Sequence, residues 1–219
     1  MIPSKITKLK LLPVGEYVGV NRDDPIRFYS LPVIGGLYRR RVELCLGELS
    51  GGERVLEVGF GSGVVFLNLC EIYQEIHGLD LTAHVNEVTS FFETKGIHTH
   101  LKNGSVLEMP YKEGYFDAVL LVSILEHLRP AELRGAFQEI RRILKPGGQV
   151  VYGVPVERPL MVFLFKLLGY DIHQHHFSTE KSVYQAACQE LSEYNLIRMR
   201  GLGGLSGPIY EVGHFKKTI

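Results

Sequence analysis

Short apolar runs alternate with amphipathic stretches along most of the chain, and each run is bounded by glycine, proline or charge. Residues 37–49 read as a helix whose apolar face is Leu37, Val42, Leu44, Cys45, Leu46 and Leu49, ended by Gly51-Gly52. A first strand follows at 54–58, then a glycine turn, then a helix over 64–76. A second strand at 76–79 closes on Asp80, a helix spans 85–96, and a short third strand is expected at 99–102. Residues 116–122 are almost continuously apolar, as a central strand buried on both faces should be. Pro130 opens a helix that carries Phe137, Ile140, Ile143 and Leu144 and stops at Pro146-Gly147-Gly148. A fifth strand at 149–153, a last helix at 182–193 and an antiparallel strand pair at 196–200 and 209–215 complete the pattern. Strands alternating with helices predict an α/β, doubly wound sheet.

Composition narrows the class. The 219 residues are 45% hydrophobic and 22% charged, which suits one globular domain over 1–219. Its parts are an N-terminal arm or lid (1–36), a core (37–155), a cap insertion (156–179) and a C-terminal helix with strands (180–219). Lys+Arg and Asp+Glu are 24 each, so the net charge is zero and nothing in it calls for a nucleic-acid partner. The basic run Tyr38-Arg39-Arg40-Arg41 reads as the solvated face of a helix start. Cys45, Cys70 and Cys188 are scattered and form no CxxC pair, which points to a reducing compartment without a disulfide framework or a zinc site. The N-terminus has no secretory pattern, and the most apolar stretch, 159–169, is broken by Lys166 and falls short of the ~20 residues of a membrane span. A cytoplasmic protein without a transmembrane segment is the expectation.

The chemistry is concentrated at Glu57-Val58-Gly59-Phe60-Gly61-Ser62-Gly63. An apolar strand enters a turn with glycine at every second position, where missing side chains let a ligand lie on the backbone. The amides opening the next helix can then meet a carboxylate or phosphate. A dinucleotide fingerprint needs glycine at position 64, where this chain has Val64. Glu57 at the strand end repels a diphosphate and attracts an ammonium group.

With Asp80, Asn103-Gly104-Ser105-Val106, Ser123-Ile124-Leu125-Glu126-His127-Leu128 and Leu144-Lys145-Pro146-Gly147-Gly148, this loop resembles the class I S-adenosylmethionine-dependent methyltransferases, in particular their small-molecule branch. The resemblance covers about 54–155. It implies a Rossmann-like seven-stranded mixed sheet with the last strand antiparallel and a small cap. It also implies S-adenosyl-L-methionine as cofactor and S-adenosyl-L-homocysteine as product. Glu57, Gly59, Phe60, Gly61 and Gly63 would then hold the methionine portion, and Asp80 with Leu81 the ribose. Ser105 and Val106 fall at the adenine contact, where the family usually has an acid in place of Ser105. Val122 and Ser123 fall at the reaction centre.

The acceptor is less legible. A sulfonium donor needs an aligned nucleophile more than covalent help, so no universal catalytic residue is implied. His127, His175 and His176 are the candidates for a base to an O, N or C nucleophile of a small molecule. The stretch 171–176 also holds Asp171 and His173, but adjacent His175 and His176 diverge, so no metal is expected there. The apolar run 160–165 fits burial under the cap, an acceptor pocket, a membrane contact or a homodimer interface. The alternatives to a methyltransferase are a non-catalytic cofactor-binding regulatory or assembly protein and, against Val64 and Glu57, an NAD-dependent Rossmann enzyme.

Overall fold

The computed structural model describes residues 7–20, 24–156, 177–201 and 207–218. Helix α1 (Ile34–Gly47) leads into β1 (Gly52–Val58), α2 (Phe66–Leu69), β2 (Tyr73–Asp80), α3 (Val85–Thr94) and β3 (Thr99–Asn103). Then come β4 (Phe116–Val122), α4 (Pro130–Ile143), β5 (Leu144–Pro155), α5 (Glu180–Glu190), β6 (Ser192–Arg200) and β7 (Pro208–Lys216). Short 3-10 turns lie at Val14–Glu16, Pro25–Ser30 and Leu125–His127.

The strands form one seven-stranded sheet in the order β3-β2-β1-β4-β5-β7-β6. Pairs β3/β2, β2/β1, β1/β4 and β4/β5 are parallel, whereas β7 runs antiparallel to both β5 and β6. This is the expected mixed sheet with an antiparallel last strand. Side chains alternate between two cores. Val55, Ala118 and Leu120 face the layer of α1, Phe66 and Phe92, while Leu56, Val58, Val119 and Leu121 face Phe137, Ile140 and Ala187. Both layers are sealed, so β4 is apolar at nearly every position. Among the described residues, no helix is long and apolar enough to cross a membrane.

Two expectations need correction. The helix over 64–76 is a single turn, Phe66–Leu69, because Tyr73 and Glu75 pair with Gly52 and Arg54 and extend β2 backwards. The stop at Lys145-Pro146-Gly147-Gly148 does not precede β5 but lies inside it. Leu144 pairs with Phe116, the register then shifts, and Gln149 pairs with Ala118. The excursion is tied by Gly147 N–H donating to Lys217 O (3.0 Å) and Lys217 N–H to Gly148 O (2.9 Å). Elsewhere the elements match the sequence reading to within a few residues, including the β6–β7 antiparallel pair.

The strand order reverses between β1 and β4. In open α/β sheets the carboxyl ends of the strands at such a switch point border the ligand crevice. The ends of β1, β2 and β4 are Val58, Asp80 and Val122.

Candidate functional site

The glycine turn leaves β1 at that switch point and is tied down from three directions. Gly59 N–H donates to Leu79 O (2.7 Å), fixing the turn to the end of β2. Gly61 N–H donates to Asp80 Oδ2 (3.0 Å) and Ser62 N–H to Asp24 Oδ2 (2.8 Å). Gly63 sits at φ +75°, and a Cβ there would lie 2.6 Å from the rings of Phe66 and Phe92, so its last glycine is demanded by core packing. Phe60 also belongs to the core. It is buried, and its ring fills the space over Gly78 and packs on Phe66.

Asp80 closes β2. Its Oδ1 accepts from Thr82 N–H (2.8 Å) and Ala83 N–H (2.9 Å), while Oδ2 takes the Gly61 amide. One carboxylate therefore shapes both the turn after β2 and the glycine turn, and its two oxygens keep room for a further donor. Asp80→Ala is expected to cost about 2–4 kcal/mol of stability, because three backbone donors lose a charged acceptor. Urea denaturation measures this; an unchanged midpoint would remove Asp80 as the brace of the loop.

Glu57, near the end of β1, lies close to Asp80 and Asp24. It is 5% exposed, and its Oε2 is shielded from solvent with no hydrogen-bond partner among the described residues. Burial, reinforced by the Asp80 and Asp24 carboxylates nearby, pushes its pKa well above the usual carboxylate range. Asp24 arrives from the N-terminal arm, where its Oδ1 also accepts from Ile26 N–H (2.9 Å) and caps the turn Pro25–Ser30. Asp24, Glu57 and Asp80 thus converge on the glycine turn, a setting that favours a cation in the crevice.

On the other side of the switch point β4 ends at Val122, which is half-buried, and Ser123 follows it. Ser123 has φ +58°, unusual for a side-chain-bearing residue; its N–H donates to Gly153 O (2.8 Å) and its Oγ lies 3.0 Å from the Tyr210 hydroxyl. Arg41 Nη1 donates to the same Oγ (3.3 Å). The basic run therefore does not form a uniformly solvated face. Arg41 stacks over the Tyr38 ring (4.0 Å), interacts electrostatically with Tyr29, and has its Nε shielded from solvent without a partner among the described residues. Burial pushes the Tyr210 hydroxyl well above its ordinary pKa and raises that of Tyr29, the latter opposed by Arg41. The result is a guanidinium held among phenols beside Ser123, able to receive an oxyanion.

The remaining predicted residues fall at varied depth. Val106 is buried in the core with Leu79, whereas Leu81 is 72% exposed. Ser105 is half-buried; its Oγ accepts from Leu107 N–H (3.1 Å), forming a local turn. His127 is exposed at the end of the Leu125–His127 turn. Phe177 and Ser178 N–H groups both donate to Glu126 O, and Ser178 Oγ to Leu128 O (2.6 Å), fastening the chain there before Thr179 caps α5. His175, His176, the rest of the 171–176 stretch and the apolar run 160–165 lie outside the described residues, as do Arg22 and Asp23 of the arm.

Two participants carried weak sequence signals. Asp24 precedes Pro25, a capping pattern, but nothing local says that its second oxygen reaches Ser62. Arg41 shares a helical stripe with Tyr38 and Cys45, so periodicity could have turned it inward.

A family profile described as "Methyltransferase domain" matches residues 55–148, from β1 into the β5 bulge. A ubiquinone biosynthesis O-methyltransferase of Shewanella halifaxensis is 24% identical over 177 residues, covering 76% of this chain and 68% of that relative. Among solved structures, the N-methyltransferase NodS from Bradyrhizobium japonicum, in complex with S-adenosyl-L-homocysteine, superposes with a TM-score of 0.67 at 17% identity. The match covers 92% of this chain and 96% of NodS. The cyclase SpnF superposes equally well, with a TM-score of 0.67 at 17% identity over 92% of this chain and 86% of its own.

Proposed function

We propose that this chain, a member of the class I S-adenosylmethionine-dependent methyltransferases, transfers the cofactor's methyl group to an O, N or C nucleophile of a small molecule and releases S-adenosyl-L-homocysteine. The observation that carries the reading is the buried Oε2 of Glu57, without a hydrogen-bond partner among the described residues, beside Asp24 and Asp80. Such a cluster suits the ammonium of a methionine moiety and opposes a diphosphate, which disfavours NAD. Bound there, the cofactor supplies an activated methyl group on sulfur.

In this reading Glu57 holds the ammonium, and Gly59, Gly61 and Gly63 let the methionine portion lie against the backbone. Asp80, with its remaining acceptor capacity, takes the ribose hydroxyls, and Leu81 flanks them. Ser105 and Val106 border the adenine. Val122 and Ser123 border the reacting methyl, where the Arg41–Tyr29–Tyr210 cluster orients the acceptor and helps to exclude water. A hydroxyl acceptor must lose a proton and an amine must arrive neutral. His127, His175 and His176 stay the candidates for that proton. The relatives named an O-methyltransferase and an N-methyltransferase leave both heteroatoms in play.

Calorimetry with S-adenosylmethionine, S-adenosylhomocysteine and NAD tests the cofactor: one adenosyl ligand per chain is expected. Tight NAD binding with no response to either adenosyl ligand would overturn the reading. A second reading, binding without methyl transfer, draws on the equally good superposition of a protein named as a cyclase. Methyl-labelled cofactor incubated with cell extract separates the two, since transfer leaves label on a small molecule and binding alone does not.

A further inference from the structure

A second cluster of ligating side chains lies on β2, which ends at Asp80, and on its neighbour β3, toward their amino-terminal ends. Glu75 and His77 are two residues apart on β2 and so point to one face, and His77 pairs in register with His100 on β3. The His77 Nε2 is 3.3 Å from Glu75 Oε2, and the His77 and His100 rings stack with centroids 4.7 Å apart. One ligand atom from each of the three side chains falls within 4.8 Å of the others. Two neighbouring positions of one strand and the paired position of the next present three donors to one point, with no loop rearrangement needed.

We propose that Glu75, His77 and His100 form a binding site for a divalent first-row transition ion of the zinc class. Two imidazoles and one carboxylate suit such an ion and not magnesium or calcium, which take oxygen ligands. Tetrahedral coordination with bonds of about 2.0–2.2 Å sets donors ~3.5 Å apart. The cluster reaches that spacing by side-chain rotation, for which the exposed His100 and half-buried Glu75 have room. His77 is the fixed member. Its ring is gripped edge-on by Phe116, Tyr115 and Tyr111 at 5.1, 5.6 and 6.1 Å. Glu75 also pairs with Arg54 (3.0 Å), but Arg54 is held independently by Glu53 at 2.7 Å and lies over the Tyr115 ring. Glu75 can therefore turn to an ion without leaving Arg54 unpaired. An ion here staples the edge strand β3 to β2. The end of β3 bears on the cofactor crevice, since Asn103 Nδ2 donates to Asp80 O (3.2 Å) and Ala83 O (3.0 Å). His77 is three residues before Asp80, ~10 Å along the strand, so the ion and the cofactor do not share ligands.

The test uses the full chain stripped with EDTA and titrated with zinc by calorimetry, and with cobalt followed by its visible absorption. One zinc per chain, a four- or five-coordinate cobalt spectrum and a thermal midpoint that rises with zinc are expected. His100→Ala, an exposed position that should not impair folding, is expected to weaken zinc about tenfold or more and to shrink the thermal shift correspondingly. Glu75→Gln should weaken it as well, while a His175→Ala/His176→Ala variant should keep both stoichiometry and shift. S-adenosylhomocysteine affinity of the stripped His100→Ala protein should equal that of the stripped parent, which separates this site from the methyl-transfer reading. Absence of saturable zinc binding would overturn the proposal. So would zinc binding that survives His100→Ala and is lost in the His175→Ala/His176→Ala variant.

Discussion

Replacing Glu57 by glutamine is expected to stabilise the cofactor-free protein and, in the same variant, to weaken S-adenosylmethionine binding about 100-fold. The two effects have one cause. Glu57 is buried with an oxygen that has no partner among the described residues and two further carboxylates nearby, and its pKa is held well above its ordinary 4.5. Between 4.5 and that raised value the folded state binds more protons than the unfolded chain, so stability falls as pH rises through the window. Glutamine has the same shape and no charge, and should flatten this dependence. An ammonium in the crevice reverses the preference and favours the carboxylate, so at pH values where Glu57 is protonated in the free protein, binding releases a proton. Calorimetry in buffers of different ionisation enthalpy reads that release directly, and it should vanish in Glu57→Gln. A loss of ~3 kcal/mol is typical of a charged group deprived of its partner in a buried site. Unchanged affinity with unchanged proton release would place the ammonium elsewhere.

Gly61→Val is the second large effect, with cofactor affinity expected to fall more than about 100-fold. Gly61 has φ +52°, and a Cβ there would lie 2.9 Å from Asp24 Oδ2. A β-branched residue in that conformation carries about 1–3 kcal/mol of strain. It also displaces the carboxylate that receives Ser62 N–H and obstructs the surface on which the methionine portion would rest. Gly96 provides the control, since it has φ +75° but open space where a Cβ would go. Gly96→Val should show the strain in its melting temperature and leave binding intact. Normal cofactor binding by Gly61→Val would refute the proposed approach of ligand to loop.

The legible features were those set by neighbouring residues. Strand 116–122 announced itself because a strand covered on both faces must be apolar throughout. The glycine turn and the acids at the ends of β1 and β2 were visible because each follows from its own strand end. The misread segments were those where pairing outweighed propensity. Residues 73–75 follow a helical pattern on paper but are drawn into β2 by the free ladder of β1 at Gly52 and Arg54. The Pro146-Gly147-Gly148 stop became a bulge because Lys217, just past the end of β7, supplies its hydrogen bonds. Arg41 looked solvated as one of three consecutive arginines, yet its place on the α1 stripe with Tyr38 turns it toward Tyr29, Tyr210 and Ser123.

By itself, then, the sequence determined the alternation of elements, the glycine turn and the positions of Glu57 and Asp80, all of which depend on periodicity and local backbone chemistry. The tertiary structure alone decided what surrounds them. It inserted β7 between β5 and β6, bringing Tyr210 to Ser123 across 87 residues, and laid Asp24 on Ser62 across 38. Those approaches follow from burying the arm, α1 and β7 against a common core, and no local pattern encodes which distant segment will fill a given place. Glu57 shows the division in one residue. Its place at the strand end is local, while the burial that leaves its oxygen without a partner among the described residues arises only once the sheet, the arm and the end of β2 have closed around it.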